Sequence, residues 1–156
     1  MYVFDNNSLR VLCESYYPAR FPSLWEKFNT LISDGRATSV REVLREIEKW
    51  SPGRRLVQWA KDHKEFFPPP SPEELEFVGQ IFAVKHFQGL IRKKKILEGQ
   101  PVADPFVMAR ARIRRGVVVT QEQLKENAPQ IPNVCHHFGI DYVDLEGFME
   151  REGWEF

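Results

Sequence analysis

The chain has 156 residues, of which 42% are hydrophobic and 13% aromatic, a composition that excludes a disordered protein and predicts one globular domain over residues 1–156. Basic and acidic residues number 22 each, so any surface for a polyanion must come from local clusters. No apolar run reaches the ~18 residues of a membrane span.

The two cysteines, Cys13 and Cys135, have neither metal-site spacing nor the numbers for a disulfide framework. We interpret them as reduced core residues. The first residues include an acid at position 5 and no long apolar stretch, which does not match a signal peptide. These features predict a cytoplasmic protein.

The first third of the chain alternates short apolar runs with helical patterns. Residues 2–4 are predicted to form a buried strand, and Ser8 to cap a helix that ends before Pro18. Apolar residues at helical spacing predict a second helix over 21–32, and residues 36–38 are a connection or a brief strand. Ser39 and Glu42 match a capping box at the start of a third helix.

The middle region, about 50–101, is predicted to be helical and partly basic, with helices over 56–66 and 73–87 around a proline-rich loop at 68–72. A helix from Asp104 to Gly116 follows, then a strand at 117–119, a short helix at 124–128, a strand at 140–143 and a helix at 145–150. This order predicts an α/β fold with a parallel sheet of about four or five short strands.

Acidic residues follow predicted strands or open helices, as in the sites of α/β sheets. Asp5 follows the first strand, Asp104 opens a helix, and Glu122 follows the strand at 117–119. Clustered carboxylates select Mg²⁺ or Mn²⁺, which can activate water at a phosphodiester. The chain has no glycine-rich phosphate loop, nucleophile elbow or His-Glu-x-x-His motif. His136 and His137 are adjacent, so they diverge on a regular element.

Four of the acids also have purely structural interpretations. Asp5 could end its strand in an Asx turn, and Asp104 before a proline could be a plain helix N-cap. Thr120 and Gln123 match a capping box, which would make Glu122 a first-turn acid. Glu42 can be explained in the same way, as the first-turn acid of the helix that Ser39 is predicted to cap. Glu46 lies one turn further in, where capping does not explain it.

The order of these motifs resembles that of the PIN-domain family of metal-dependent nucleases, which includes VapC-type toxins. The motifs are Tyr-Val-Phe-Asp5, Val43-Leu44-Arg45-Glu46-Ile47, Ala103-Asp104 and Val118-Val119-Thr120-Gln121-Glu122. Tyr-Pro-x-Arg-Phe-Pro-x-Leu-Trp at 17–25 and Glu-Gly-Trp at 152–154 also resemble a bacterial group of PIN-like proteins. Glu122 departs from the family pattern, which usually has aspartate there.

The resemblance implies a three-layer PIN-like fold and an Mg²⁺- or Mn²⁺-dependent endoribonuclease, the toxin of a toxin–antitoxin pair. Asp5, Glu46, Asp104 and Glu122 would hold one or two metals, and the resemblance selects Glu46 over Glu42. Asn7 and Thr120 would orient these ligands. The implied partners are an RNA substrate, an antitoxin protein and a second copy in a homodimer, with no membrane. The alternatives are a non-catalytic binding module and a DNA nuclease or phosphatase that uses the same acids.

Two dense basic clusters are candidates for RNA contacts. The first is the run 92–95, which contains Lys93, Lys94 and Lys95, and the second includes Arg110 and Arg114, which lie four apart and so share a helix face. Solvated faces and helix-dipole partners are the structural alternative. If the acids form a nuclease site, phosphate contacts become the better interpretation of at least one cluster.

Overall fold

The computed structural model describes residues 1–50, 53–90 and 102–156, apart from the side chain of Trp50. Four strands form one sheet in the order β2-β1-β3-β4, and every neighbouring pair is parallel. The strands are β1 (Tyr2–Phe4), β2 (Ala37–Thr38), β3 (Val117–Val119) and β4 (Asp141–Val143). The predicted α/β class with a short parallel sheet is confirmed.

Eight α-helices within the described residues flank the sheet, consistent with a three-layer PIN-like fold. They are α1 (Asn6–Ser15), α2 (Pro22–Ser33), α3 (Arg41–Trp50), α4 (Arg55–Asp62), α5 (Pro72–Ala83), α6 (Asp104–Arg114), α7 (Ile131–Phe138) and α8 (Leu145–Arg151). Two 3₁₀ turns, Lys64–Phe66 and Lys85–Gln88, follow α4 and α5. In the described ranges, none of the helices combines the length and apolarity that crossing a bilayer requires.

The core is centred on β1, which lies inside the sheet and is buried along its whole length. The ring of Phe4 packs against Phe28 from α2 and Phe148 from α8, with centroids 5.3 and 5.2 Å apart. A strand covered on both faces is expected to be continuously apolar, as this one is. Cys13 and Cys135 are both free and buried, so their assignment to the core is confirmed.

Two predicted helix caps are wrong, because α1 begins before Ser8, at Asn6, and α3 begins after Ser39, at Arg41. The N-cap of α1 is Asp5, whose Oδ1 accepts the Ser8 N–H at 2.7 Å, while the Ser8 hydroxyl donates to the Val119 carbonyl. Ser39 does not form a capping box with Glu42. Its hydroxyl donates to the Phe4 carbonyl at 2.6 Å, which ties the end of β2 to the end of β1.

The second half of the chain also departs from the predicted helices. The segment predicted as a helix at 124–128 contains only a turn, with Asn127 at φ 56°. The Thr120 hydroxyl oxygen accepts the Glu122 N–H, but no helix follows it. Helix α7 was not predicted, although it has proline in its first turn and ends at a left-handed Gly139. The predicted helices at 56–66 and 73–87 end earlier, at Asp62 and Ala83.

Gly116 is required where β3 meets the first residue of the chain. A Cβ at Gly116 would lie 2.6 Å from the Met1 carbonyl oxygen, which accepts the Val117 N–H at 2.9 Å. The missing side chain therefore lets β1 and β3 pair from their first residues.

We predict that Gly116→Ala lowers the free energy of unfolding by about 1–3 kcal/mol, since backbone atoms must move apart to admit the methyl group. Gly79→Ala is the matched control, because Gly79 is exposed within α5 and a methyl group there would meet no atom within 4 Å. That control should gain roughly 0.5–1 kcal/mol from helix propensity. Urea denaturation measures the free energy of unfolding of both variants. A Gly116→Ala variant as stable as the native protein would contradict the prediction and show that the chain around Met1 moves to admit the methyl group at no cost.

Candidate active site at the carboxyl edge of the sheet

The carboxyl ends of β1, β2 and β3 lie at the same edge of the sheet because these strands are parallel. Asp5 follows β1, Ser39 follows β2 and Thr120 follows β3. Residues that are far apart in sequence therefore meet at this edge, which is where open α/β sheets place their sites.

Asp5 lies at the centre of this edge and is 2% exposed. Its Oδ1 accepts the Ser8 N–H at 2.7 Å, and its Oδ2 accepts the Thr120 hydroxyl at 2.6 Å. Burial raises the pKa of Asp5 to about 7; the hydrogen bonds from Thr120 and Ser8 oppose this shift, and the negative charge of Asp104 adds to it. The side chain is thus both a helix cap and a carboxyl group that is costly to ionise.

Glu46 joins α3 to the beginnings of two other helices. Its Oε1 accepts the Ala103 N–H at 3.1 Å, and its Oε2 accepts the Asn6 side-chain amide at 3.3 Å. Asn6 and Ala103 are the immediate neighbours of Asp5 and Asp104 in the sequence. Glu46 therefore links the segments that carry the other two acids while it remains buried itself.

Asp104 is the first residue of α6 and not its N-cap. The cap position belongs to Ala103, and no side chain caps this helix. The interpretation of Asp104 as a plain N-cap is therefore wrong. Its negative charge adds to the raised pKa of Asp5, so the two carboxylates repel each other.

Glu122 is held at the edge by its main chain and by α7. Its N–H donates to the Thr120 hydroxyl oxygen at 3.1 Å, and its Oε2 accepts the Ile131 N–H at 2.9 Å. Because Ile131 begins α7, the carboxylate complements the positive end of that helix. The predicted first-turn position is wrong, since no helix begins at Thr120, but Glu122 does serve a helix N-terminus further along the chain.

Glu42 lies one turn before Glu46 on the same face of α3 and is equally buried. Its Oε1 accepts two N–H groups from the Arg41 guanidinium, at 3.2 and 2.9 Å. Its Oε2 is buried, and no described atom forms a hydrogen bond with it. A buried carboxylate oxygen without a donor is costly, and a bound cation or water is its usual explanation.

The residues predicted to orient the acids are only partly at the site. Thr120 contacts Asp5 directly, whereas the Asn7 side-chain oxygen accepts from Arg10 on the surface. Asn6, rather than the predicted Asn7, contacts one of the acids, Glu46. Two adjacent asparagines after Asp5 cannot be distinguished by pattern, because only the direction of α1 decides which one faces inward.

The predicted RNA contacts of Arg110 do not fit the structure. Arg110 and Arg114 share a face of α6 as expected, but both are directed to Glu74 of α5, at 3.2 and 3.9 Å. Arg110 is buried, and burial lowers its pKa from the ordinary arginine value. Arg110 is therefore a structural ion-pair partner, while Arg114 is half exposed. Lys93, Lys94 and Lys95 lie outside the described residues.

The site is rich in the hard oxygen donors that Mg²⁺ and Mn²⁺ prefer, and Glu42 adds a buried oxygen without a donor. In the part of the chain that the structure describes, however, no three histidine, cysteine or acidic side chains are close enough to hold a metal ion. The donor chemistry thus fits a hard divalent cation, and the carboxylates would have to draw closer to bind it.

The family described as Domain of unknown function (DUF4411) matches residues 2–156. The chain belongs to this family. A comparison with the curated proteins gives no match. The family match spans all of the site residues, from Asp5 to Glu122, but attaches no chemistry to them.

A cavity of about 380 Å³ lies away from this edge, between α1, α2 and α4. Its walls are mainly apolar and include Tyr17, Trp25 and Trp59, with Arg55 and Asp62 among its polar lining residues. None of the candidate acids lines it. The cavity has the size of a small-ligand pocket, but the chemistry-bearing groups lie elsewhere.

We predict that Asp5 makes stability fall as pH rises from about 4 to about 7. The folded chain keeps the Asp5 proton up to about pH 7, whereas an unfolded aspartate releases it near 4, so the advantage of the protonated form is complete below pH 4 and lost by about pH 7. Asp5→Asn should remove this component, because the asparagine amide does not titrate in this range. The cap itself should remain, since asparagine caps a helix about as well as aspartate. Chemical denaturation from pH 4 to 8 measures the difference, and parallel profiles for the two proteins would contradict it.

Proposed function

We propose that this protein is a PIN-like, metal-dependent endoribonuclease that hydrolyses RNA phosphodiesters with Mg²⁺ or Mn²⁺. The observation that supports it most is that Glu46 accepts hydrogen bonds from the Asn6 side chain and the Ala103 N–H. Asn6 and Ala103 are the sequence neighbours of Asp5 and Asp104, so all three acids lie at one sheet edge. These acids come from elements separated by much of the chain. A purely structural role would not require so many carboxylates at one edge.

Each side chain has a distinct part in this proposal. Asp5, fixed by Thr120 and Ser8, and Asp104 would bind the cation directly. Glu122, anchored at the start of α7, would be a further ligand of the cation. Glu46 fixes α3 against α1 and α6, and it would either share the cation or position the other ligands.

A bound Mg²⁺ or Mn²⁺ would lower the pKa of a water molecule and neutralise charge on the phosphodiester. The protein supplies a buried edge where hydrogen bonds hold Asp5 and Glu46, and the carboxylates would draw closer around the cation. The cation would also offset the free-energy cost of burying the negative charge of Asp5, and so favour its ionised form. This coupling makes cation binding visible in stability as well as in activity.

The proposed biological setting is that of a cytoplasmic toxin paired with an antitoxin protein, and it rests on the PIN resemblance. A small protein encoded beside this one, which co-purifies with it and suppresses cleavage, is the expected partner. A homodimer agrees with the same resemblance. The competing function, a non-catalytic binding module, would instead use the aromatic cavity between α1, α2 and α4.

We predict that Asp104→Asn abolishes metal-dependent RNA cleavage, with a loss of at least ~100-fold, because an amide is a poor ligand for a hard cation. The melting temperature without metal should hold or rise, since a charge near Asp5 is removed. The rise in melting temperature caused by millimolar Mn²⁺ in the native protein should also disappear.

Asp144→Asn is the matched control, because Asp144 is a true N-cap that accepts the Gly147 N–H at 2.8 Å. It should keep full cleavage and the full Mn²⁺ response. Assays with RNA, single-stranded DNA and a phosphomonoester distinguish the nuclease from its alternatives. A native protein that binds no Mn²⁺ or Mg²⁺ in calorimetric titration would exclude the nuclease and favour the binding module.

A further prediction separates Glu42 from Glu46. Glu46→Gln should cost about 1 kcal/mol of stability, because glutamine can replace only one of the two accepting oxygens. Glu42→Gln should leave stability unchanged or higher, because it removes a buried charge whose Oε2 has no donor among the described residues. If Glu42 binds the cation, the same change should reduce cleavage and the Mn²⁺ response together. Full activity in Glu42→Gln would leave Glu46 as the ligand on α3.

A further inference from the structure

Helix α3 has a row of three cations beside its two buried acids. Arg41, Arg45 and Lys49 are spaced four residues apart, so each is turned by about 40° from the one before and about 6 Å further along the axis. Glu42 and Glu46 each follow a member of this row, about 100° further round the helix. The basic row, which we call the α3 stripe (Arg41, Arg45 and Lys49), therefore borders the acids directly.

Burial separates the two rows sharply. Glu42 and Glu46 are 5% and 6% exposed, whereas Arg45 and Lys49 are exposed and the Arg41 side chain retains 40% exposure. The core residues of α3 lie on the other side of the acids, so the order around the helix is core, acids, cations and water. A polyanion that approaches the acidic edge from solvent meets the stripe first.

The stripe brings like charges close together. Arg41 and Arg45, and Arg45 and Lys49, are two pairs of cations four residues apart, and such pairs repel each other. Glu42 and Glu46 precede Arg45 and Lys49 by three residues, and Lys49 lies in the last turn of α3, so neighbouring acids and the helix dipole offset part of this repulsion. A phosphate backbone lying along the stripe would offset it further while contacting all three cations.

Arg41 connects the stripe to the acids. Its Nε and Nη2 both donate to the single oxygen Oε1 of Glu42, which orients the guanidinium at the boundary between the rows. A guanidinium has more N–H donors than this contact uses, and planar bidentate recognition of phosphate is its common role. Arg41 is thus placed to contact a phosphate beside the acidic edge.

We propose that the α3 stripe binds the phosphodiester backbone of a single RNA strand, with Arg41 at the phosphate nearest the acids and Arg45 and Lys49 at successive phosphates along α3. This inference rests on the proposed nuclease function for its choice of polyanion. It assigns substrate binding to a helix face that neither of the two dense basic clusters in the sequence includes.

The test is the affinity of the full chain for a fluorescent oligouridine, measured over a range of salt concentrations with EDTA and again with Ca²⁺. Arg41→Gln, Arg45→Gln and Lys49→Gln should each weaken binding several-fold and reduce the slope of log affinity against log salt by roughly 0.7. Arg45→Lys should preserve the slope because it keeps the charge. Arg20→Gln and Lys61→Gln, at exposed cations away from α3, are the controls.

Unchanged affinity and slope in the stripe variants, relative to these controls, would overturn the proposal, as would the absence of RNA binding by the native chain in both conditions. Cleavage assays with Mn²⁺ keep this result separate from the nuclease itself. Native cleavage with unaltered KM in all stripe variants would refute the stripe and leave the nuclease standing. Stripe-dependent RNA binding without cleavage in any metal would support the stripe and refute the nuclease.

Discussion

The buried hydrogen bond from Thr120 to Asp5, 2.6 Å long, determines the arrangement of the whole sheet edge. It joins the ends of β1 and β3, and the same Asp5 carboxylate caps α1 through Ser8. The Thr120 oxygen then accepts the Glu122 N–H, which directs the chain away from β3. Asp5 and Thr120 together thus hold the end of β1, the start of α1 and the exit of the chain from β3, and burial raises the pKa of Asp5 to about 7.

Structural and catalytic interpretations of an acid are not exclusive at such an edge. Asp5 caps a helix, Glu46 holds Asn6 and Ala103, and Glu122 complements α7, so each carboxylate has a structural contact. Such contacts also fix the orientation of a group that must bind a cation. Asp104 lies in the first turn of α6, whose N-cap is Ala103, so helix capping does not explain its position. The strongest functional evidence therefore comes from the acids whose geometry exceeds what helix capping requires.

The sequence predicted the elements whose periodicity is strong and missed contacts that depend on tertiary partners. Continuous apolar character identified β1, and acids after strands identified the edge, because both signals are local. Asp5 rather than Ser8 caps α1, and the Ser8 hydroxyl donates to the Val119 carbonyl, more than a hundred residues away. Arg110 looked like a surface cation because its partner, Glu74, lies on another helix. No local pattern distinguishes a charge in water from a buried, paired one.

A chain with equal numbers of acids and bases has no net charge to attract a polyanion over long distances, so the proposed RNA binding would depend on local clusters. Surface charges are screened beyond about 10 Å at 0.1 M salt, a distance comparable to the length of the α3 stripe. The cations would therefore have to lie beside the acids to offset the repulsion between the acids and a phosphate. Arg41 lies there, because its guanidinium donates to the buried carboxylate of Glu42 while it stays partly exposed to solvent. A chain of zero net charge can in this way present a local row of cations on α3.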